Sequence, residues 1–436
     1  MALVRPHRTD DDTGIIVLLS LLVGTVLWSP YFTVPGVPIG ASLRADQLIL
    51  PVFVGYVVAQ RYTEFRVTVD YVLAGLLLVV VTIATSISYN AVVTNVPARL
   101  SDFFDVVVWG GYLLTMVTIS GNVSRTTARR ILLLTVVLSA AVAVLSVLEA
   151  LRVPVVVERI APIYTSGRHL ETVRDGIPTG TATNPNTLAK LLAMPLFFSM
   201  AQWYRLAVGG AGNDQWRPLA FWFGLSCLFA AAILPTASRS GLASIVVGFL
   251  ALLALLATDR LSDSEQFKLV TGAFVVVLAA GTYTLVVLTG FRNYDALLNP
   301  LGSGALDVRL RLLQLGIPVL LDGIVIGHGP SWTVLERRIG ISTFDSGFFN
   351  WLYHYGIFGV ATLALYFIGG IRYGLTSLKT STVFETDPVS WGAAAAITGS
   401  SAGLPIVWFV SSVALRRRLF MFNLLFLSLL IAATRD

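Results

Sequence analysis

The chain has 436 residues, 56% of them hydrophobic and 12% charged, against about 25% charged in soluble globular chains. Repeated apolar runs of about 20 residues exclude a soluble domain and define an all-α polytopic membrane protein. The formal charge of +6 comes from 27 arginines and 3 lysines against 24 acidic residues, but the arginines are dispersed among loops with no basic helix or aromatic-interleaved patch, which excludes nucleic acid and favours anionic headgroups or lipid diphosphates.

From the start, Arg5, Arg8 and Asp10 to Asp12 precede an apolar run that begins at Gly14 and ends in Trp28, Pro30 and Tyr31 without a small-residue cleavage site. This reads as an uncleaved first span, not a signal peptide. Hydropathy then predicts spans over 14–32, 45–60, 69–88, 104–120, 131–151, 186–204, 218–236, 239–257, 268–290, 347–370, 390–413 and 419–434, about 12 in all. Residues 1–436 form a single integral membrane domain with two long loops on the outer side, 152–185 and the large, partly helical 291–346 between the ninth and tenth spans. The lone Cys227 allows no intrachain disulfide and no cysteine metal cluster. His7, His169, His328 and His354 show no metal-ligand spacing, so neither metal nor cofactor is expected.

Basic residues in the short loops orient the chain. With the N-terminus cytoplasmic, Arg61, Arg66, Arg125, Arg129, Arg130, Arg205, Arg217, Arg260, Lys268, Arg372 and Lys379 face inward, while three of the four short outer turns hold only Arg44, Arg99 and Arg239. Arg416, Arg417 and Arg418 break the rule in the last outer turn. Either that turn binds something anionic or the eleventh span is misplaced. No inverted repeat and no paired Gly/Pro-broken helices point to a transporter. The clearest ionisable residues within spans, Glu149 and Lys190, sit near outer ends, so a midplane ion path lacks residues to carry it.

Three stretches have chemical content. Pro178 to Asn186 ends Asn184-Pro185-Asn186 at the start of the sixth span; this is either a capped helix N-terminus or a set of amides facing a diphosphate or sugar. Thr236 to Gly241 sets Arg239 between hydroxyls at a helix start, where dipole, amides and guanidinium favour an anion, although a lone arginine there can also snorkel to headgroups. From Leu306 a helix is expected to lie on or dip into the outer leaflet, with Asp307, Arg311, Gln314 and Asp322 on one polar face and an Asp307–Arg311 pair at i,i+4. Arg309 stands about 200° around that helix from Asp307, on the apolar side, where it wants a partner.

The order of these features resembles the O-antigen ligase and O-antigen polymerase superfamily. An Asn-Pro-Asn start and a Ser-Arg-Ser-Gly start are followed by an outer arginine with Gly327-His328-Gly329 eighteen residues on, then Asp345 with Gly356 and Gly359 eleven and fourteen residues on. The resemblance runs from about Arg174 to Tyr366.

It implies a metal-independent, inverting glycosyltransferase in the cytoplasmic membrane, with an outward-facing site and polyprenyl-diphosphate-linked glycan as substrate. Membrane lipids and other polysaccharide-assembly proteins are further expected partners. By resemblance, Arg239 and Arg309 hold the diphosphate and Asp345 fills the slot that ligases usually give to histidine, which points to the polymerase branch. The family's upstream arginine falls on Ile177, leaving Arg174 or Arg168 to replace it. Asn184, Asn186, His328 and Arg311 complete the candidate substrate contacts. His354, about 180° from Asp345 on one continuous helix, is expected to pack among aromatics. The alternatives are a ligase moving a finished glycan to lipid or protein, and a polysaccharide or lipid transporter.

Overall fold

The structure is a computed structural model that describes residues 12–32, 43–68, 70–93, 100–208, 216–259, 305–341, 343–344, 346–379, 387–410 and 417–435. The expected span over 268–290, outer-loop residues 291–304, Asp345 and Arg416 lie outside the described residues.

The first five long helices are α1 (Asp12–Trp28), α2 (Ala45–Gln60), α3 (Tyr71–Val93), α4 (Leu100–Asn122) and α5 (Arg125–Ala150). A π turn then leads into the short α6 (Ala161–Tyr164) and α7 (Arg168–Arg174). The remainder are α8 (Pro185–Val208), α9 (Trp216–Ile233), α10 (Arg239–Asp259), α11 (Ala305–Asp322), the short α12 (Thr333–Ile339), α13 (Gly347–Lys379), α14 (Pro388–Val410) and α15 (Arg417–Thr434). A two-residue antiparallel ribbon pairs Tyr31 with Arg44 and Phe32 with Leu43 between α1 and α2. Among the described residues, α3, α4, α5, α9, α13 and α15 are long and apolar enough to cross a membrane, and α1, α2 and α10 carry shorter apolar stretches. The chain is thus an all-α, multi-pass membrane protein.

Local chemistry sets where helices start. Asp70 accepts the Leu73 N–H at 2.7 Å before α3, Ser124 the Thr127 N–H at 3.3 Å before α5, and Asp387 the Ser390 N–H at 3.2 Å before α14. Each relieves one of the orphan amides of a helix N-terminus. Within the spans, hydroxyls fold back on the preceding turn, as Ser139 Oγ does on the Thr135 carbonyl at 2.8 Å, which gives their donor a partner where hydrocarbon offers none.

Helix α15 is buried on every side from Arg418 to Ala433, the pattern of a core helix, and packs with α1, α4, α5 and α14. Its polar residues are satisfied internally: Tyr366 OH donates to Asn423 Oδ1 at 3.0 Å and Ser428 Oγ to the Leu424 carbonyl at 2.7 Å. At its far end Arg125 Nε donates to the Ala433 carbonyl at 2.8 Å, and Arg129 Nε to Asp387 at 3.0 Å. With Arg435 Nη1 donating to the Ser120 carbonyl at 2.8 Å, these contacts gather the ends of α4 and α15 and the starts of α5 and α14 at one end of the bundle. The end of α1 and the starts of α8 and α15 meet at the other.

At that second end the arginine turn finds its explanation. Helix α14 ends at Val410 and α15 begins at Arg417, and Arg418 is only 1% exposed. Its Nε donates to the Val26 carbonyl at 2.6 Å, its Nη2 to Leu27 at 2.7 Å and Ser29 at 3.2 Å, and its Nη1 to Thr181. The first three are carbonyls at the end of α1, left without intrahelical partners and sitting at the negative pole of that helix. Arg44, equally buried, adds a bond to Val26 at 3.2 Å and an ion pair to Asp46 at 2.9 Å. The basic excess on this side is thus partly consumed inside the protein.

Replacing Arg418 by alanine strips several buried carbonyls of their donor and is expected to cost roughly 3 kcal/mol, visible as a lower melting temperature in detergent and reduced membrane abundance. Arg418→Lys, with one ammonium in place of the fork, is expected to fall between. An alanine variant that melts with the wild type would show that this clamp holds nothing.

Candidate functional site

The glycines of the sequence pattern meet in space. Helix α13 is interrupted at Gly356, where φ is 63° and ψ −165°. The peptide groups freed around that break pair with the loop that follows α11: His328 N donates to the Tyr353 carbonyl at 2.7 Å, Gly329 N to His354 at 3.0 Å, and Ile357 N to Ile324 at 2.7 Å. Helix α3 secures the joint, with Ser86 Oγ donating to the His354 carbonyl at 2.8 Å and Asn90 Nδ2 to Gly327 at 3.0 Å. Gly327 has a φ of 81°, and a Cβ there would overlap the His354 carbonyl, just as one at Gly356 would overlap that of Val325. Both positions therefore exclude a side chain twice, by backbone sign and by space.

Beside this joint lies a cavity of about 190 Å³ between α4, α13, the N-terminus of α15 and Trp332. Its wall is aromatic: Trp109 lies 4.5 Å from Phe420 and 5.2 Å from Trp351, whose ring is 4.5 Å from Tyr355. Trp351 is fixed by its Nε1–H, which donates to the Gly359 carbonyl at 2.6 Å. Polar groups converge on the same space. Arg417 Nη2 meets Asp105 Oδ1 at 3.0 Å, and Tyr355 OH donates to Asp105 Oδ2 at 3.1 Å. The Asp105 and Arg417 side chains are 28% and 38% exposed, so the pair is open to a ligand. His354 also lines the cavity. Its Nδ1 donates to the Gly329 carbonyl at 2.7 Å, which fixes the tautomer and leaves Nε2 as the atom through which it can accept a hydrogen bond.

Asp345 lies outside the described residues, but its surroundings are organised. Asn350 Oδ1 accepts the Phe344 N–H at 2.9 Å and Ser346 Oγ caps α13 by accepting from Phe349 N at 3.4 Å. Gly347 and Asn350, two and five residues on, line the cavity.

The other expected residues divide. Arg239 is half-buried at the first position of α10, behind Ser238, whose Oγ accepts the Gly241 N–H at 3.0 Å. A Cβ on Gly241 would stand 2.5 Å from that of Ala189, so the starts of α10 and α8 touch and the two helix-start motifs are neighbours. Asn184 is buried and accepts the Asn186 N–H at 2.8 Å, which makes it a cap of α8; Asn186 is half-buried. Glu149, in the last turn of α5, ties the loop before α8, accepting from Thr179 N at 2.8 Å and Gly180 N at 2.7 Å. Arg174 is exposed at the end of α7.

On α11, Arg311, Gln314 and Asp322 are exposed and Gly316, Val319 and Leu320 buried, as the polar face required. Asp322 pairs with Arg338 of α12. The side chains of Asp307 and Arg309 lie outside the described residues, and with them the expected Asp307–Arg311 pair. His328 donates from Nε2 to the Val319 carbonyl at 2.7 Å with its ring 5.0 Å from Tyr353, and burial lowers its pKa below the ordinary 6.5. Among the described residues the cavity wall contains none of Arg174, Asn184, Asn186, Arg239, Arg311 and His328. It is built instead from Asp105 and Trp351, which sequence reasoning passed over, and from Arg417, which it singled out only within the basic last outer turn. Asp105, an acid one turn inside a span, was the available signal.

No family model matches the chain, and no curated protein sequence matches it.

Gly327→Ala is expected to open the joint. Forcing a Cβ onto a positive φ costs about 1–2 kcal/mol before any overlap, so amide exchange at His328 and Gly329 is expected to quicken roughly tenfold or more while the bundle melts nearly as before. Gly340→Ala, at a φ of 70° with open space around it, carries the strain alone and leaves those amides protected. Because burial lowers the pKa of His328, below pH 6.5 the unfolded chain binds a proton that the folded chain refuses. Stability is expected to decline as pH falls from 7 to 5, with a flatter profile for His328→Gln; equal profiles would remove His328 from this account.

Proposed function

We propose that the chain is a polysaccharide polymerase of the O-antigen type: a metal-independent, inverting glycosyltransferase with about twelve spans and a site on the outer face of the cytoplasmic membrane. The observation that carries this reading is the aromatic cavity with its reachable Asp105–Arg417 pair, set against the glycine joint and the N-terminus of α13. Flat aromatic rings with a few convergent polar groups suit a sugar, which has apolar C–H faces and a hydroxyl rim.

In the proposed reaction an acceptor hydroxyl oxygen attacks the anomeric carbon of a polyprenyl-diphosphate-linked glycan. The bond from that carbon to the phosphate oxygen breaks, and the diphosphate leaves with the electron pair. Arg239 and Arg309 stabilise the negative charge that grows on the leaving group, a contribution of several kcal/mol per donor (about 3 to 4 each) in a site shielded from water. Asp345 takes the hydroxyl proton as general base. Helix α11 supports a place at the membrane surface: Leu315, Ile317 and Leu321 are exposed beside Arg311 and Gln314, the mixed edge of an interfacial helix.

The test is chain extension by purified protein on a lipid-diphosphate-linked oligosaccharide, with reporter fusions placing the loops near Ser166 and Trp332 outside and that near Thr376 inside. Arg239→Lys and Arg309→Lys keep charge but lose the fork, and are expected to lose most activity at normal abundance, whereas Arg311→Lys is expected to be mild. Deleting the gene should leave single repeat units on the lipid carrier. Unattached polymer would indicate a ligase, and a cytoplasmic Trp332 would refute the mechanism.

A further inference from the structure

A larger hollow lies on the other side of Tyr112. It is a groove of about 630 Å³ between α2 and α4, and its lining is apolar except for Asp46 and Gln47 at one end. The sequence explains the gap. A Cβ on Gly111 would sit 3.2 Å from Leu50 Cδ2, but one on Gly55 or Gly110 would meet nothing within 4 Å. The two helices touch at Gly111 and part around the other glycines. Leu48, Val107 and Leu114 are 60%, 67% and 54% exposed along the opening, so the groove faces the surroundings of the bundle through much of its length. An apolar lining that opens to the surroundings of the bundle beside a cation suits a hydrocarbon chain with an anionic head.

The groove adjoins the aromatic cavity across Tyr112. Tyr112 lines both, and its hydroxyl donates to the Arg417 carbonyl at 3.1 Å. Phe104 lines the groove and carries the Arg417 guanidinium 4.9 Å above its ring. Arg417 is thus a cation at the junction of an apolar groove and a cavity suited to sugar. The charges nearby include Asp105, which engages Arg417 Nη2, Asp102 one turn before it on α4, and Asp46, which is paired with Arg44; a guanidinium with five N–H donors retains others for an anion.

We infer that this groove between α2 and α4 binds the hydrocarbon chain of the lipid-diphosphate substrate, with the sugar in the aromatic cavity and Arg417 as a further contact to the diphosphate that Arg239 and Arg309 hold. The inference rests on the proposed function and adds where the lipid lies and which residues select its length.

The experiment compares binding of C55 and C15 polyprenyl diphosphates, without sugar, to the full chain in phospholipid nanodiscs. The wild type is expected to hold the C55 lipid at least tenfold more tightly. Gly55→Phe and Gly110→Phe fill the groove where a new side chain meets open space, and each is expected to reduce C55 binding to the C15 level while leaving C15 binding unchanged. A C55 diphosphate bearing a diazirine near its far end is expected to label wild-type α2 and α4 between Leu48 and Gly55 and between Phe104 and Leu114, which decides the matter if both variants fail to fold. Folded variants that keep the chain-length preference, or labelling confined to other helices, would overturn the groove and leave the proposed function standing. A wild type that binds neither diphosphate would overturn both.

Discussion

The constraint on which this bundle depends is the burial of one arginine among backbone carbonyls. A guanidinium with no water around it is tolerable only when its donors are met, and Arg418 meets that condition by taking carbonyls of Val26, Leu27, Ser29 and Thr181 together. The exchange is mutual, since those carbonyls would otherwise be orphaned at a helix end and in a loop. Three segments far apart in the chain, the end of α1, the loop before α8 and the start of α15, are thereby held at one point. That loop is tied from its other side by the Glu149 carboxylate, so the start of α8 has little freedom.

The clamp also orients the candidate site. Arg417 and Arg418 are successive residues of one helix, about 100° apart around its axis. With Arg418 committed to the carbonyls, Arg417 must project elsewhere, and it projects toward Asp105 and the aromatic cavity. Because α15 is buried along its length it cannot rotate without displacing the core around it. The pair of arginines therefore splits a structural role from a ligand-facing one.

How much of this could be read from the sequence depends on the range of the interaction. Described spans fall close to the apolar runs because hydropathy is local, and the helix starts at Asn184 and Ser238 carry caps that the residue types announce. The glycines around His328 and at Gly356 stood out as a pattern, yet only the fold shows that they interlock. The cavity was not legible. Its Tyr355–Asp105 and Arg417–Asp105 contacts join residues 250 and 312 positions apart, and no local pattern reports that. The helical wheel that turns His354 away from Asp345 assumes one continuous helix, but α13 begins only at Gly347, so that phase does not apply. His354 does pack among aromatics, against Trp332, Tyr353 and Tyr355, and lines the cavity as well. For Arg309 and Asp345 the reading from sequence still stands on resemblance.

A broken helix in a membrane protein is costly unless every freed peptide group is paired again, because hydrocarbon offers no substitute for water. At Gly356 the repair comes from a loop that lies outside the long helices, with Ser86 and Asn90 of α3 as the third party. That loop cannot leave without exposing the Tyr353 and His354 carbonyls, nor can the helix re-form its regular turns while the loop is docked. The same joint anchors Trp332, which stacks on Tyr353 with ring centres 5.1 Å apart, and it sets the tautomer of His354. The cost of interrupting α13 thus yields a rigid wall of rings and one oriented imidazole, the arrangement a site needs when its groups must be in place before the ligand arrives.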